Sequence, residues 1–419
     1  MLIWAAIAAA WLAYIAPRAG NGFVLSDLAR WSITALAGAA LVPLPESRRT
    51  LRGAFVLVGI PWLVFIAVAS FDHVGRYSLY GAGEDSWTFQ RLAYRIFLQG
   101  YWLEGGEITF WFQPGYRWIA GAWHMVFGDS SIGEFFWDSA CLLAIALFAH
   151  EATRRFAGFR WGLVAAVTAL TIVMQGPTWA FWGLGLSENA GAGLISMAAL
   201  TAINARRWPA MAAAGALATL GFFTRPNSLP IALAVAVFAV PLTVPVREAL
   251  RPSRWLGPST IRMAAATIAM VAVGVFLFTL RTWYYTGVFS MFHGTTMATH
   301  ALWQPGLPWS EVAERMGSSV LMVLTMNDPA RFAWYAIPLL AAAVISLAAV
   351  IGITGVRDLP LPLILFFLAG CSSALVARGV AYSGRFSTIL IGAGCAITVC
   401  AVARFVGAWR AQRPDAQSS

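Results

Sequence analysis

Long apolar runs, separated by short connections, recur from one end of this sequence to the other. A run of about 20 apolar residues can cross the hydrocarbon core of a bilayer as a helix. The composition agrees, with 59% hydrophobic residues, 11% charged residues and a mean hydropathy of +0.71. The pattern therefore predicts an all-α, polytopic integral membrane protein. About twelve transmembrane helices are expected, near residues 2–16, 30–45, 53–71, 133–150, 161–180, 188–203, 209–223, 228–246, 263–281, 332–354, 359–377 and 386–407.

The basic residues predict the orientation of the chain. All 28 of them are arginines, and their clusters recur on alternate connections, at 48–52, 154–160, 206–207 and 247–262. Arginine-rich connections stay in the cytoplasm, so both termini are expected there. An all-arginine chain rich in Ala and Gly indicates a GC-rich bacterial genome, and the expected location is the bacterial inner membrane. The net charge of +10 does not favour nucleic acid as a partner, because no basic helix or aromatic-basic strand is present to bind it.

The same topology places residues 72–132, 282–331 and 378–385 on the outer face. These loops hold 9 of the 18 acidic residues of the chain, so function is expected to face outward. The predicted organisation is a transmembrane domain over residues 1–410, with outer loops at 72–132 and 282–331. Residues 411–419 are predicted to form a disordered cytoplasmic tail.

The segment EDSWTFQRLAYRIFLQG, residues 84–100, combines two carboxylates with an amphipathic helix. Such a helix lies flat at a bilayer surface. Asp85 is then expected at its start, at the boundary of water and lipid, where a lipid-borne substrate presents its head group. Alternatively, Asp85 and Ser86 only cap the first turn. The apolar stripe is Phe89, Leu92, Ala93, Ile96, Phe97 and Gly100, and the polar side is Gln90, Arg91, Arg95 and Gln99.

The first outer loop resembles a known family. Asp85, Phe89, Leu92-Ala93 and Gly100 are followed by Gln113-Pro114-Gly115-Tyr116 and Val126-Phe127-Gly128. This order resembles GT-C glycosyltransferases, multi-span enzymes that take sugars from polyprenyl-phosphate donors, and the spacing is closest to aminoarabinose and protein O-mannosyl transferases. Three predicted spans precede the aspartate, two more than the family usually has, and a large soluble C-terminal domain is not expected. Later segments that resemble GT-C landmarks are Ser187-Glu188, Thr224-Arg225-Pro226, Arg281 to Gly287 and Ser383-Gly384-Arg385-Phe386.

The resemblance implies transfer of a sugar from polyprenyl phosphate to a lipid, glycan or protein acceptor, with inversion of configuration. The acceptor loses a proton as it attacks the anomeric carbon, which calls for a carboxylate base. Asp85 is the first candidate for this base, followed by Glu84 and Asp72. The leaving lipid phosphate calls for arginines at the outer membrane edge. The candidates are Arg225, Arg281 and Arg385, with Arg378 as a fourth, although snorkelling from a helix end is an alternative for each.

Three further residues are candidates for substrate binding. Glu188 begins a predicted span and is expected to pair with a nearby arginine, or else to cap its helix. His293 lies in the second outer loop, where a solvated histidine is the alternative. Tyr382 immediately precedes the SGRF segment at 383–386.

Metal and disulfide chemistry are not expected. The four cysteines lie inside hydrophobic runs without CxxC spacing, so neither a disulfide framework nor a zinc site is predicted. His293 and His300 are two helical turns apart, too far for shared ligation of one metal. Glu84 and Asp85 could hold a divalent ion, but a second set of ligands is not evident. The reaction is therefore predicted to need no cofactor.

Two other functional classes share parts of this pattern. A secondary transporter or lipid flippase also has many spans with arginines, but carriers usually contain inverted repeats, and no such symmetry is visible in the sequence. An O-antigen ligase or polymerase normally has a large late loop, whereas the early outer loop is the longest one here. The discriminating observation is whether Asp85 lies within reach of Arg225, Arg281 and Arg385 around one outward cavity.

Overall fold

The computed structural model describes residues 50–71, 74, 84–100, 114–128, 130–291, 306–326, 333–376 and 385–411. Within these residues the fold is all-helical, as predicted, apart from an isolated bridge between Pro245 and Pro360. A π-helical turn, Phe55–Gly59, joins α1 to α2. The α-helices are α1 Leu51–Ala54, α2 Ile60–Ala69, α3 Glu84–Gln99, α4 Pro114–Phe127, α5 Ile132–Ala157, α6 Phe159–Gln175, α7 Ser187–Asn204, α8 Trp208–Thr224, α9 Leu229–Ala234, α10 Pro258–Thr286, α11 Trp309–Thr325, α12 Ile337–Val350, α13 Leu361–Val376 and α14 Thr388–Ala411.

Most of the predicted apolar runs that the structure describes form helices, although the run at 228–246 forms only α9 and a 3-10 helix that ends at Ala239. The runs at 188–203, 209–223 and 386–407, for example, form α7, α8 and α14. In the described part of the chain, three helices, α5, α10 and α14, are long and apolar enough to cross a membrane, and six shorter apolar helices accompany them. The runs at 2–16 and 30–45 lie outside the described residues. The number of spans, about twelve, therefore stays a prediction.

Helix α11 was not predicted, since its residues fall in the expected second outer loop. It follows Pro308, which is a natural helix boundary, and it is amphipathic. Val312, Ser319 and Val323 are buried on one side, whereas Trp309 and Leu321 are exposed. The helix has too few consecutive apolar residues to be found by a search for spans, but its helical periodicity is visible in the sequence.

Helix α5 lies at the centre of the bundle, where it packs against α6, α7 and α14. Helices α5, α7 and α14 all start at the same end of the bundle. Asn189 at the start of α7 bonds Asp138 near the start of α5, and Arg385 before α14 pairs with Glu188 of α7. We call this end of the bundle the Glu188 end.

The opposite end, which we call the Glu151 end, carries many of the arginines. Buried Glu151 accepts hydrogen bonds from Arg154 at 2.7 and 2.8 Å and from Arg155 at 2.8 Å. Asp358 pairs there with Arg404 and with Arg247, the latter at 3.1 Å. The arginine clusters at 154–160, 206–207 and 247–262 thus gather at one end of the bundle, which is the arrangement that the positive-inside rule predicts.

Helix α10 lies at the edge of the bundle. Only 28% of its most apolar window is buried. It runs parallel to α8, because Gly215 packs on Thr267 and, further along both helices, Phe222 packs on Phe278 at a centroid distance of 5.1 Å. An uncovered apolar face of this length suits contact with lipid rather than water. Its exposed side chains include Ile261, Ile268, Val273, Phe276, Leu277, Leu280, Trp283 and Tyr284.

Close helix packing at Gly193 gives a first testable prediction. A Cβ atom at this position in α7 would lie 2.3 Å from Cβ and 2.6 Å from Cα of Cys141 in α5. Because backbone atoms cannot yield, Gly193→Ala must separate the two helices, and we expect it to destabilise the protein by about 1–3 kcal/mol. Thermal unfolding in detergent measures the effect. Gly317→Ala in α11 is the control, since a Cβ there meets nothing within 4 Å and should not lower the melting temperature.

Candidate functional site

Two arginines share one buried carboxylate at the Glu188 end. Glu188 lies in the first turn of α7, Arg225 directly follows α8, and Arg385 lies three residues before α14. Oε1 of Glu188 lies 3.1 Å from Nη1 of Arg225 and also contacts Nε of Arg385. The three side chains are 0%, 10% and 11% exposed, respectively. We call these residues the Glu188 cluster. The predicted pairing of Glu188 with arginine is therefore present.

Small and aromatic neighbours position Arg225. Gly191 leaves room for its side chain, because a Cβ at that position would lie 2.7 Å from Cγ of Arg225. Nη1 of Arg225 donates a hydrogen bond to Ser187 Oγ at 3.2 Å. The guanidinium also lies 5.2 Å from the ring centroid of Phe386, within the range of a cation–π interaction. The arginine is thus held from three sides.

The Glu188 cluster borders a small, partly open pocket with a cavity volume of about 20 Å³. Two guanidiniums against one carboxylate give its wall a net charge of about +1. Helices α7 and α14 both start at this wall, and helix N-termini favour anions. The pocket is lined by Glu188, Gly191, Ala192, Arg225, Asn227, Ser228, Arg385, Phe386, Thr388 and Ile389.

Thr388 is the lining residue that points most directly to a ligand. Its side chain is 1% exposed, and no group among the described residues hydrogen-bonds its Oγ1. Buried hydroxyls are normally hydrogen-bonded, so this one is suited to contact a bound polar group.

Two further acids lie at the Glu188 end, and the sequence analysis missed both. Asp138 is fully buried and accepts hydrogen bonds from the backbone N–H of Gly183 at 2.9 Å and from Asn189 at 3.4 Å. Glu134, one turn earlier in α5, is 1% exposed. Carboxylates four positions apart within an apolar run are costly in a membrane and usually functional. That spacing was the available signal.

Tyr116 of α4 lies among these acids. Burial raises the pKa of its phenol well above the ordinary value, and the negative charge of Asp138 adds to this shift. Glu134 and Glu188 raise it further through their charges. The side chain is 1% exposed, so the phenol stays protonated across the physiological range and acts there as a neutral hydrogen-bonding group.

Arg281 does not line the pocket of the Glu188 cluster. Its guanidinium lies 5.5 Å from the ring centroid of Tyr285 and close to Arg117, a fully buried residue of α4. Burial lowers the pKa of the Arg117 guanidinium well below its ordinary value, and the positive charge of Arg281 lowers it further. This end of the bundle therefore has a second cationic pair, Arg117 and Arg281. The pocket is lined by Arg225 and Arg385 but not by Arg281, so the predicted contact of Arg281 with the donor phosphate stays a prediction.

The amphipathic helix predicted around residues 84–100 is present as α3, starting at Glu84. Phe89, Leu92, Ala93 and Ile96 of the predicted stripe are buried. The stripe, however, faces protein rather than a bilayer surface. Phe97 contacts Gly121 of α4, and Phe89 lies 5.0 Å from Tyr116 in a T-shaped pair.

Residues 84 and 85 form the first turn of α3, and Phe89 follows Asp85 by one turn. Phe89 belongs to the same apolar cluster as Tyr116 and Ala190, and Ala190 is two residues from Glu188. The start of α3 is thus brought toward the Glu188 cluster. The side chains of Glu84 and Asp85 lie outside the described part of the chain, as do residues Asp72, His293, Arg378 and Tyr382.

All four cysteines are free thiols. Among the described residues, no group of three or more His, Cys, Asp or Glu side chains is arranged to hold a metal ion.

Comparison with known proteins found no match to this chain among protein-family models, curated proteins or solved structures.

Proposed function

We propose that this chain is a membrane glycosyltransferase that moves a sugar from a polyprenyl-phosphate donor to a lipid, glycan or protein acceptor. Asp85 acts as the base, and the Glu188 cluster holds the donor phosphate. The observation that carries the proposal is the pocket in which Arg225 and Arg385 meet. Its charge, its unsatisfied hydroxyl and its position at the end of an apolar bundle fit a lipid phosphate better than a neutral solute.

The chemistry follows from the charges that change during transfer. As the bond from the anomeric carbon to the phosphate oxygen breaks, negative charge develops on the leaving phosphate. Arg225 and Arg385 would stabilise that charge from fixed positions, in a site with little water. Glu188 keeps the two guanidiniums together when the pocket is empty, because like charges would otherwise repel each other.

The orientation follows from the two ends of the bundle. Arginine clusters at 154–160, 206–207 and 247–262 belong to the Glu151 end, so the positive-inside rule assigns that end to the cytoplasm. The Glu188 end and α3 then face outward, in a bacterial inner membrane. The donor would reach the pocket from the outer leaflet, with its tail among the surrounding helices and membrane lipids.

A direct assay tests the proposal. Full-length protein in lipid nanodiscs is incubated with a panel of polyprenyl-phosphate sugars, each with a radiolabelled sugar, and with lipid, glycan and peptide acceptors. We expect transfer to an acceptor and release of polyprenyl phosphate from at least one donor. Movement of an intact labelled lipid between leaflets without cleavage would instead assign the protein to the flippases, and uptake of a solute into vesicles would assign it to the transporters.

Arg385→Gln tests the role of the Glu188 cluster. The loss of one charge-assisted contact to phosphate should raise the KM for the donor about 10- to 100-fold. Arg404→Gln is a matched control, since Arg404 also pairs with a carboxylate but at the Glu151 end. An equal rise in KM for both variants would show that the effect is on folding and not on the donor.

A further inference from the structure

The side-chain amide of Gln90 joins three helices. Gln90 lies on α3, five residues after Asp85. Its Nε2 donates a hydrogen bond to Oε1 of Glu134 at 2.8 Å, and its Oε1 accepts one from Nε2 of His124. His124 belongs to α4, and Glu134 lies in the first turn of α5. We call Gln90, His124 and Glu134 the Gln90 tie.

Both ring nitrogens of His124 face oxygen acceptors. Nδ1 lies 2.8 Å from the carbonyl oxygen of Gly128, and Nε2 lies 2.9 Å from Oε1 of Glu134. An imidazole that donates from both nitrogens is an imidazolium. In that protonation state the ring is a cation opposite the Glu134 carboxylate, which also lies at the favourable N-terminal end of α5.

The hydrogen bonds of the Gln90 tie fix the orientation of α3, which the apolar stripe of α3 does not. Apolar contacts are not directional, so the stripe formed by Phe89, Leu92 and Ile96 allows α3 to rotate and slide by small amounts. Hydrogen bonds depend steeply on distance and angle. An amide hydrogen-bonded on both sides, to His124 and to Glu134, fixes the rotation and the axial position of α3 relative to α4 and α5.

We infer that Glu134 and His124 are positioning residues, which hold Gln90 and thereby set the place of Asp85 relative to the Glu188 cluster. The inference rests on the proposed function, in which Asp85 is the base. A base one turn before Phe89 moves with α3 as a rigid body. A displacement of about 1 Å at a reacting group is enough to lower a rate by about 100-fold.

Two isosteric substitutions on α3 test the inference in full-length protein in nanodiscs. Gln90→Met removes the amide and keeps the size of the side chain. Gln99→Met makes the same change on the same helix at an exposed position. Amide hydrogen exchange of residues 84–99 is measured first, because it does not require activity. We expect exchange about 10-fold faster in Gln90→Met and unchanged in Gln99→Met.

The kinetics give the second readout. In Gln90→Met we expect kcat to fall about 10- to 100-fold with a donor KM within about 2-fold of wild type, because the donor pocket is intact and only the base is misplaced. Glu134→Gln should move both readouts in the same direction. Unchanged exchange in Gln90→Met, or a kcat equal to that of Gln99→Met, overturns the inference. Failure of the wild-type protein to transfer any sugar overturns the proposed function, and the exchange comparison alone then decides whether the tie holds α3.

Discussion

Asp85→Asn is expected to lower the rate of sugar transfer by about 10²- to 10⁴-fold, the range that a positioned general base contributes. Asparagine has nearly the size and shape of aspartate but cannot accept a proton at neutral pH. It also favours helix starts as strongly as aspartate does, so the first turn of α3 should be preserved. The rate is measured with the donor found in the panel assay, at saturating donor and acceptor.

Glu84→Gln is the matched control for this variant, since it makes the same chemical change at the adjacent position. Glu84 begins α3 and is the second candidate for the base. A large loss in Glu84→Gln with near-normal transfer in Asp85→Asn would move the catalytic role to Glu84. Equal transfer by both variants and the wild type would remove both carboxylates from the mechanism.

Glu188→Ala is expected to lower the free energy of unfolding by about 3–5 kcal/mol, the usual cost of removing one partner from a buried ion pair. The substitution leaves two guanidiniums, 10% and 11% exposed, without the carboxylate between them. Unfolding is followed by intrinsic tryptophan fluorescence as denaturing detergent is added. The double variant Glu188→Gln, Arg385→Gln should recover part of the loss, because one of the two like charges is then gone.

The control for this second prediction is Glu311→Ala. Glu311 pairs with Arg315 on α11, and its side chain is 40% exposed. Exposed pairs on a helix contribute only about 0.3–0.5 kcal/mol. A loss in Glu188→Ala no larger than in Glu311→Ala would mean that the buried arginines are well solvated or held by other groups, and the cluster would not be a preorganised anion site.

The helices could be predicted from sequence because the side chains of each apolar run must contact a nonpolar surrounding, either protein or lipid. The neighbours of each helix could not be predicted in this way. Arg385 and Glu188 are 197 positions apart, and nothing local to either residue indicates that α14 starts beside α7. The sequence indicated that Glu188 needs a cation, but the choice of cation depends on how the helices are arranged in the bundle.

Periodicity also predicted which face of α3 is apolar but not what covers it. The same stripe would suit lipid or protein, and here α4 covers it. Arg281 illustrates a related limit. Its position at the end of a span was predicted, but the direction of its side chain around α10 depends on which helix lies on each side. Glu134 and Asp138 were missed because a search for long apolar runs averages over the few acids inside them.

Two exposed residues of α10 indicate the depth at which this helix would lie in a bilayer. Exposed Arg262 and exposed Trp283 are separated by 21 residues, or about 31 Å of helix, which matches the thickness of about 30 Å for the hydrocarbon layer. Arginine and tryptophan are the side chains that favour its two boundaries. Helix α8 runs parallel to α10, with Phe222 level with Phe278, so Arg225 lies roughly level with Arg281. Arg281 precedes Trp283 by two residues, which places both arginines about 3 Å inside the boundary that Trp283 marks. An arginine side chain at that depth can extend to the boundary, beyond which the lipid phosphates lie. Under the proposed function, the donor would therefore bind with its chain still in the hydrocarbon layer.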